Sequence, residues 1–262
     1  MSEPLITYQL DGAIALIGLN RPDKRNAIND PLIDELRAAV LRAHEEADVA
    51  VLFGHGSNFC AGLDLAEALA RATGQIKAPR KRKRHNWHEV FDLIARGPIP
   101  FVAALHGAVV GGGLELATAA HVRVCDETAL FGLPEGQRGI FVGGGGTVRI
   151  QRVVGTTVMM DMMLTGRLLT PAEGLQEHVV RYVTPAGEAL AKAKDLAARI
   201  AKNSIDTNWM IINVLPRIHD MSHDDGLFVE QLNSARARPP EAEARLREFV
   251  DGKAKKLQDN QA

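Results

Sequence analysis

Apolar runs and amphipathic stretches alternate through the first half of the chain. The runs Leu5–Leu10 and Ala13–Leu19 are separated by Asp11-Gly12, a pair that favours a type I′ turn. They predict a hairpin of two buried or half-buried strands. A short apolar segment, Val49–Phe53, ends at a glycine and predicts a third strand, buried on both faces.

A helix is predicted between the hairpin and that third strand. Asp30 is its predicted N-cap and Pro31 its first residue. The apolar residues that follow at helical spacing are Leu32, Ile33, Leu36 and Val40. Further strands are predicted at Phe101–Leu105 and Val122–Val124, so the region from Leu5 to Ala129 has the alternation of an α/β fold.

The last third of the chain is predicted to be mostly helical. Thr170-Pro171-Ala172-Glu173 has the residues of a capping box. Helices are predicted at Glu188–Ile200, Asn208–His219 and Glu241–Val250. The pattern leaves open whether these helices pack on their own domain or on a neighbouring subunit.

Composition narrows the class of protein. The 262 residues are 46% apolar, and 31 basic residues nearly balance 32 acidic ones, which argues against a nucleic-acid or membrane partner. Two cysteines make no disulfide framework, and neither a leader nor a membrane span is evident, so we expect a reduced, cytoplasmic protein. The exception is a basic run, Arg80–Arg84, which predicts a solvated loop.

Two glycine clusters, each close to a glutamate, are the main candidates for chemistry. Gly111-Gly112-Gly113-Leu114-Glu115 follows a predicted strand and opens a helix, where free N–H groups can stabilise a negatively charged oxygen. Glu135 lies in a loop that leads to the four consecutive glycines 143–146. Taken alone, the first cluster is equally compatible with a tight strand-to-helix turn that binds no ligand. Taken alone, Glu135 is more typical of a solvated loop glutamate.

Four ordered motifs together resemble the crotonase family. They are Arg21-Pro22-Asp23-Lys24-Arg25-Asn26-Ala27-Ile28, Phe59-Cys60-Ala61-Gly62-Leu63-Asp64-Leu65, Gly111-Gly112-Gly113-Leu114-Glu115-Leu116-Ala117, and Leu133-Pro134-Glu135 with Gly145-Gly146-Thr147. The resemblance implies an α/β spiral of ββα repeats. It assigns residues 1–190 to a core with a coenzyme A (CoA) thioester site and 191–262 to a helical oligomerisation region. The implied assembly is a homotrimer or a dimer of trimers.

The resemblance also assigns site residues by position. The backbone N–H groups of Leu63 and Gly112 would form an oxyanion hole, and Glu115 and Glu135 would be the catalytic carboxylates. The residues implied to bind the acyl-CoA substrate are Lys24, Arg25, Ala27, Ala61, Gly62, Asp64, Leu65, Ala66 and Gly111. Ala66 stands where some relatives have lysine, so one CoA contact of those relatives is missing.

The pair of glutamates points to an enoyl-CoA hydratase, in which Glu115 activates water and Glu135 donates the proton. The two roles could be shared, because neighbouring carboxyl groups titrate as a pair. No cofactor or metal ion is expected, since CoA is part of the substrate. The alternatives are a Δ3,Δ2-enoyl-CoA isomerase, another acyl-CoA hydrolase or lyase, and a non-catalytic CoA- or RNA-binding paralogue.

Overall fold

A computed structural model describes residues 3–76, 87–236 and 240–252. It contains a six-stranded sheet in the order β1-β2-β3-β4-β6-β9 and a three-stranded sheet in the order β5-β7-β8. The strands are β1 (Ile6–Asp11), β2 (Ile14–Leu19), β3 (Val49–Gly54), β4 (Phe101–Leu105), β5 (Ala108–Val110), β6 (Val122–Asp126), β7 (Leu130–Gly132), β8 (Leu168–Leu169) and β9 (Tyr182–Thr184). In the larger sheet only the β1–β2 pair is antiparallel.

Helices cover both faces of the larger sheet. The helices are α1 (Asp30–Glu46), α2 (Leu65–Ala72), α3 (Trp87–Ala95), α4 (Gly112–Ala117), α5 (Gly146–Val154), α6 (Thr156–Thr165), α7 (Pro171–Gln176), α8 (Ala189–Ile200), α9 (Ile205–Asn213), α10 (Leu215–Ile218), α11 (His223–Arg236) and α12 (Pro240–Val250). Alternate side chains of each strand point to opposite faces. On β3, Ala50 and Leu52 therefore join the core shared with α1 and α3, whereas Val49 and Val51 pack with α8.

Two local predictions were wrong by one residue. Asp11 is the last residue of β1, and the hairpin loop is Gly12-Ala13, with only Gly12 at positive φ (60°). The predicted type I′ turn at Asp11-Gly12 needs positive φ at both positions. The N-cap of α1 is Asn29 rather than Asp30, because the Asn29 side chain accepts a hydrogen bond from the Leu32 amide.

The other elements named from the sequence are present. The capping box is formed, with Thr170 and Glu173 bonded reciprocally at the start of α7. The segment predicted as one helix at Asn208–His219 consists of α9 and α10, with the break just before Pro216. No helix among the described residues is long and apolar enough to span a membrane.

The chain divides into two compact units, Met1–Ala201 and Lys202–Ala262. The division lies after residue 201 instead of 190, because α8 packs on β3, β4 and β6 and so belongs to the first unit. The second unit contains the helices from α9 onward. All the predicted site residues lie in the first unit.

Candidate active site

Three of the four motifs lie side by side. Ile28 forms a parallel bridge with Leu63, and Cys60 forms another with Val109. The Cys60 amide donates to the Ala108 carbonyl at 2.9 Å. These bridges bring the 21–28, 59–65 and 111–117 motifs into one region, although the sequence separates them by dozens of residues.

The two predicted oxyanion amides are free to bind a ligand. Ile28 donates to the Gly62 carbonyl at 2.7 Å and accepts from the Asp64 amide at 2.9 Å, so the Leu63 N–H between them points to the other side. Gly112 is the first residue of α4 and has no intrahelical acceptor. Within the described part of the chain, neither amide donates a hydrogen bond.

Glycine is required where these two segments meet. Gly62 has φ +86°, and a Cβ there would lie 2.6 Å from the Val110 carbonyl oxygen and 3.2 Å from the Gly112 nitrogen. A side chain at position 62 would therefore strain the backbone and push the two segments apart. The close packing places Leu63, a predicted oxyanion-hole residue, directly after a residue that lies close to Gly112.

Glu115 is buried and held by main-chain amides. Its side chain is 2% exposed. Its Oε1 atom accepts hydrogen bonds from the amides of Gly144 (2.7 Å) and Gly146 (2.8 Å). Two amide donors on one oxygen fix the orientation of this side chain. The glycine-rich segment 143–146 thus serves as the cradle of Glu115.

Glu135 has a different environment. It is 6% exposed, and among the described residues its Oε2 has no hydrogen-bond partner. Burial raises the pKa of the Glu135 carboxyl above its ordinary value, and the charge of Glu115 raises it further. The Oε1 atom would lie 2.7 Å from a Cβ on Gly111, so this carboxyl group rests against the Gly111 backbone. The structure therefore brings the two predicted glutamates together in unlike electrostatic environments.

The predicted CoA residues before Gly111 lie on two segments, 24–27 and 61–66, which main-chain hydrogen bonds join. Lys24 and Arg25 are exposed and Ala27 is half-buried, while the Arg25 carbonyl accepts from the Ala61 amide at 2.9 Å. Leu65 and Ala66 are exposed at the start of α2. The Asp64 carboxylate is already engaged, since it caps α2 and pairs with Arg21 at 3.1 Å.

A cavity of about 140 Å³ opens next to Leu63. Its wall includes residues of the predicted CoA motifs, of α2 and of α3: Ile28, Asn29, Asp30, Leu63, Asp64, Glu67, Ala68, Arg71 and Trp87. The Trp87 ring also packs against Gly112, because a Cβ on Gly112 would lie 2.5 Å from its Cζ3 atom. The cavity is thus lined by Leu63, and the Trp87 ring in its wall contacts Gly112, the other predicted oxyanion residue.

Sequence reasoning missed several supporting residues. Asn26 is fully buried and donates to the His55 and Asn58 carbonyls at 2.9 and 2.7 Å, while its Oδ1 accepts from the Arg21 amide. Arg149 and Trp87 also went unnoticed. The basic run Arg80–Arg84 lies outside the described residues.

A metal centre is not apparent among the residues that the structure describes, where no group of three or more His, Cys, Asp or Glu side chains could hold an ion. Both cysteines are buried and free. Burial raises the pKa of the Cys60 thiol to about 12.

Comparisons with known proteins agree with this arrangement. Residues 9–235 match the family model described as "Enoyl-CoA hydratase/isomerase". The "Probable enoyl-CoA hydratase 2, mitochondrial" of Arabidopsis thaliana is 35% identical over 225 residues, which cover 85% of this chain and 73% of that protein. The "Fatty acid oxidation complex subunit alpha" of Shewanella frigidimarina is 36% identical over 195 residues, 72% of this chain but 27% of that protein.

Solved structures share the fold over nearly the whole chain. The crystal structure of a "putative enoyl-CoA hydratase" from Rhodopseudomonas palustris CGA009 has a TM-score of 0.85 and 41% identity, with 97% of each chain covered. The enoyl-CoA hydratase from Bacillus anthracis has a TM-score of 0.85 and 26% identity, with 95% of this chain and 96% of that chain covered. The predicted crotonase-like α/β fold is confirmed, and the chain belongs to the enoyl-CoA hydratase/isomerase family.

Proposed function

We propose that this protein is an enoyl-CoA hydratase, which adds water across the double bond of a trans-2-enoyl-CoA. The observation that carries the proposal is the unlike pair of buried carboxyl groups beside two free amides. Glu115 is bound by two N–H groups, whereas Glu135 is desolvated with one oxygen unpartnered. Hydration needs one proton acceptor and one proton donor, and these environments favour that division of roles.

The free amides of Leu63 and Gly112 serve as the oxyanion hole. Attack of water on the enoyl thioester moves negative charge onto the carbonyl oxygen. Preorganised donors aimed at such an oxygen each contribute about 2.7–4 kcal/mol to the transition state. Because both donors are main-chain groups, the side chain at position 63 is not fixed by this role.

The carboxyl groups complete the reaction. Glu115 accepts a proton from a water molecule, whose oxygen bonds to Cβ of the enoyl group. The electron pair of the double bond moves onto the thioester carbonyl, and Glu135 then gives its proton to Cα. Transfer of a proton from Glu115 to Glu135, directly or through solvent, restores the starting state.

The remaining motif residues bind the CoA moiety. Lys24 and Arg25 are exposed cations suited to the phosphates of the nucleotide end, with Ala27 beside them. Leu63 and Asp64 line the cavity, so the backbone from Ala61 to Ala66 suits the pantetheine arm. Gly111 supports Glu135. CoA arrives with the substrate, so no separate cofactor is needed. A trimeric or hexameric assembly and a cytoplasmic location remain predictions.

A panel of acyl-CoA substrates tests the proposal. Purified protein should remove the enoyl-thioester absorbance of crotonyl-CoA or of longer 2-enoyl-CoAs and form 3-hydroxyacyl-CoA. Isomerisation of 3-enoyl-CoA without hydration would identify an isomerase. Release of free CoA or acyl cleavage would indicate a hydrolase or lyase. Salt-sensitive RNA binding with no turnover would indicate a non-catalytic paralogue.

Glu135→Gln tests the proton donor. This variant keeps the side-chain shape but has no proton to give, so CoA binding should remain while kcat falls by orders of magnitude. Glu127→Gln is the matched control, because Glu127 is an exposed glutamate of the same unit. A nearly normal rate for Glu135→Gln would remove Glu135 from the mechanism.

A further inference from the structure

Arg149 lies behind the glycine cradle of Glu115. It projects from α5 and is 14% exposed. One terminal nitrogen pairs with the Asp92 carboxylate at 2.6 Å, and the other donates a hydrogen bond to the Gly144 carbonyl oxygen. No step of the proposed reaction uses this guanidinium group.

The cradle therefore has two polar sides. The amides of Gly144 and Gly146 point to Glu115, and the carbonyl of Gly144 points to Arg149. The Gly144 carbonyl lies between the Gly144 and Gly146 amides along the backbone, so a contact at this carbonyl restrains the short segment that carries both amides. Four consecutive glycines have high conformational entropy, and such a segment keeps one shape only if neighbouring groups hold it.

A second contact supports the same segment from α3. Asp92, the partner of Arg149, lies on α3 next to Phe91. The Phe91 ring packs against Gly144, because a Cβ on Gly144 would lie 2.8 Å from its Cε2 atom. The cradle is thus held by an aromatic ring and a half-buried cation from two different helices. A guanidinium removed from water needs partners, and Arg149 has them in Asp92 and the Gly144 carbonyl.

We propose that Arg149, with Asp92, is a positioning residue that fixes the glycine cradle and through it the orientation of the Glu115 carboxylate. The inference rests on the proposed function for the catalytic role of Glu115. The restraint of the cradle is a separate claim, and it can be measured without turnover.

Kinetics of matched variants provide the first test. Arg149→Met removes both contacts, Arg149→Lys keeps the charge without the two-pronged geometry, and Arg152→Met alters an exposed arginine of the same helix. With crotonyl-CoA, we expect kcat of Arg149→Met to fall about 10- to 100-fold with KM within about twofold, since a small misplacement of a catalytic group has this effect. Arg149→Lys should be intermediate and Arg152→Met normal. A normal kcat for Arg149→Met would overturn the inference. Equal losses of kcat in Arg149→Met and Arg152→Met would also overturn it.

Amide exchange provides a test that does not depend on activity. In protein labelled with ¹⁵N-glycine, Gly144 and Gly146 should be protected in the parent and in Arg152→Met. Both should exchange at least about tenfold faster in Arg149→Met, because the glycine segment that carries these amides is no longer held against Glu115. Asp92→Asn should show a smaller change in the same direction and replaces Arg149→Met if that variant fails to fold. Unchanged exchange would overturn the positioning role even in an active hydratase, and faster exchange would support it even if hydration is absent.

Discussion

Replacing Gly111 by alanine tests whether the hydration rate depends on the position of the Glu135 carboxyl group, apart from any loss of protein stability. Gly111 has φ 55° and ψ −123°, a conformation that L-residues avoid. The new Cβ would lie 2.7 Å from the Glu135 Oε1 atom, whereas ordinary contact begins at 3.4 Å. The carboxyl group must therefore retreat by about 0.7 Å, the difference between those distances.

Two effects of the change can be estimated. Holding a residue other than glycine in this backbone region costs about 1–3 kcal/mol of stability. Displacement of a catalytic group by nearly 1 Å reduces kcat by about one to two orders of magnitude. The loss of kcat is expected only at this site, whereas the loss of stability is expected at any glycine with a similar backbone conformation.

Gly155→Ala is the matched control. Gly155 has φ 80° and ψ 154°, and nothing lies within 4 Å of its Cβ position. Both variants should show comparable losses of thermal stability at equal protein concentration, but only Gly111→Ala should lose most of its hydration rate. If Gly111→Ala keeps the kcat of Gly155→Ala, the contact between Gly111 and Glu135 has no part in catalysis.

Three further predictions concern other parts of the first unit. Burial lowers the pKa of His121 to about 4, whereas histidine in the unfolded chain has a pKa near 6.5, so between these pH values the unfolded chain binds more protons than the folded one. The free energy of unfolding should therefore fall by up to about 3 kcal/mol as the pH falls from 6.5 to 4. Denaturant titrations of His121→Asn should show a smaller pH dependence. Cys60 should resist thiol reagents in the folded protein and react after denaturation, and rapid labelling of the native protein would contradict its burial. Asn26→Ala leaves the His55 and Asn58 carbonyls without the Asn26 donor, so the free energy of unfolding in denaturant should fall by about 2–3 kcal/mol. The same variant should raise KM more than it lowers kcat. An unchanged KM would show that Asn26 does not support CoA binding.

The sequence predicted the elements whose signals are local. Val49–Phe53 and Phe101–Leu105 are continuous apolar runs, and both are buried strands of the larger sheet. Leu32, Ile33, Leu36 and Val40 are buried on one face of α1, as their spacing predicted. The motifs also predicted Glu115 and Glu135 as neighbours, and both are buried, with the charge of Glu115 acting on Glu135. The order of four motifs carries long-range information that no single motif contains, and the catalytic roles of the two glutamates stay predictions.

Other features depend on contacts between distant residues, which no local sequence pattern indicates. Asn29 and Asp30 are both good capping residues, and only the backbone geometry selects Asn29. Arg149 follows a glycine run on an amphipathic helix, where an arginine usually faces solvent. Its pairing with Asp92 across 57 positions of sequence could not be deduced from spacing.

The loop that carries Lys24 and Arg25 is braced from within the protein. Arg25 and Asn26 have positive φ values of 51° and 54°, and three hydrogen bonds of the Asn26 side chain stabilise this conformation. The entropy cost of ordering this loop is therefore incurred during folding. In the proposed CoA binding, the remaining entropy cost comes from immobilising the ligand and the long side chains of Lys24 and Arg25. Calorimetry should accordingly find a binding entropy for free CoA that is more favourable than in an Asn26→Gly variant, whose loop must be ordered by the ligand.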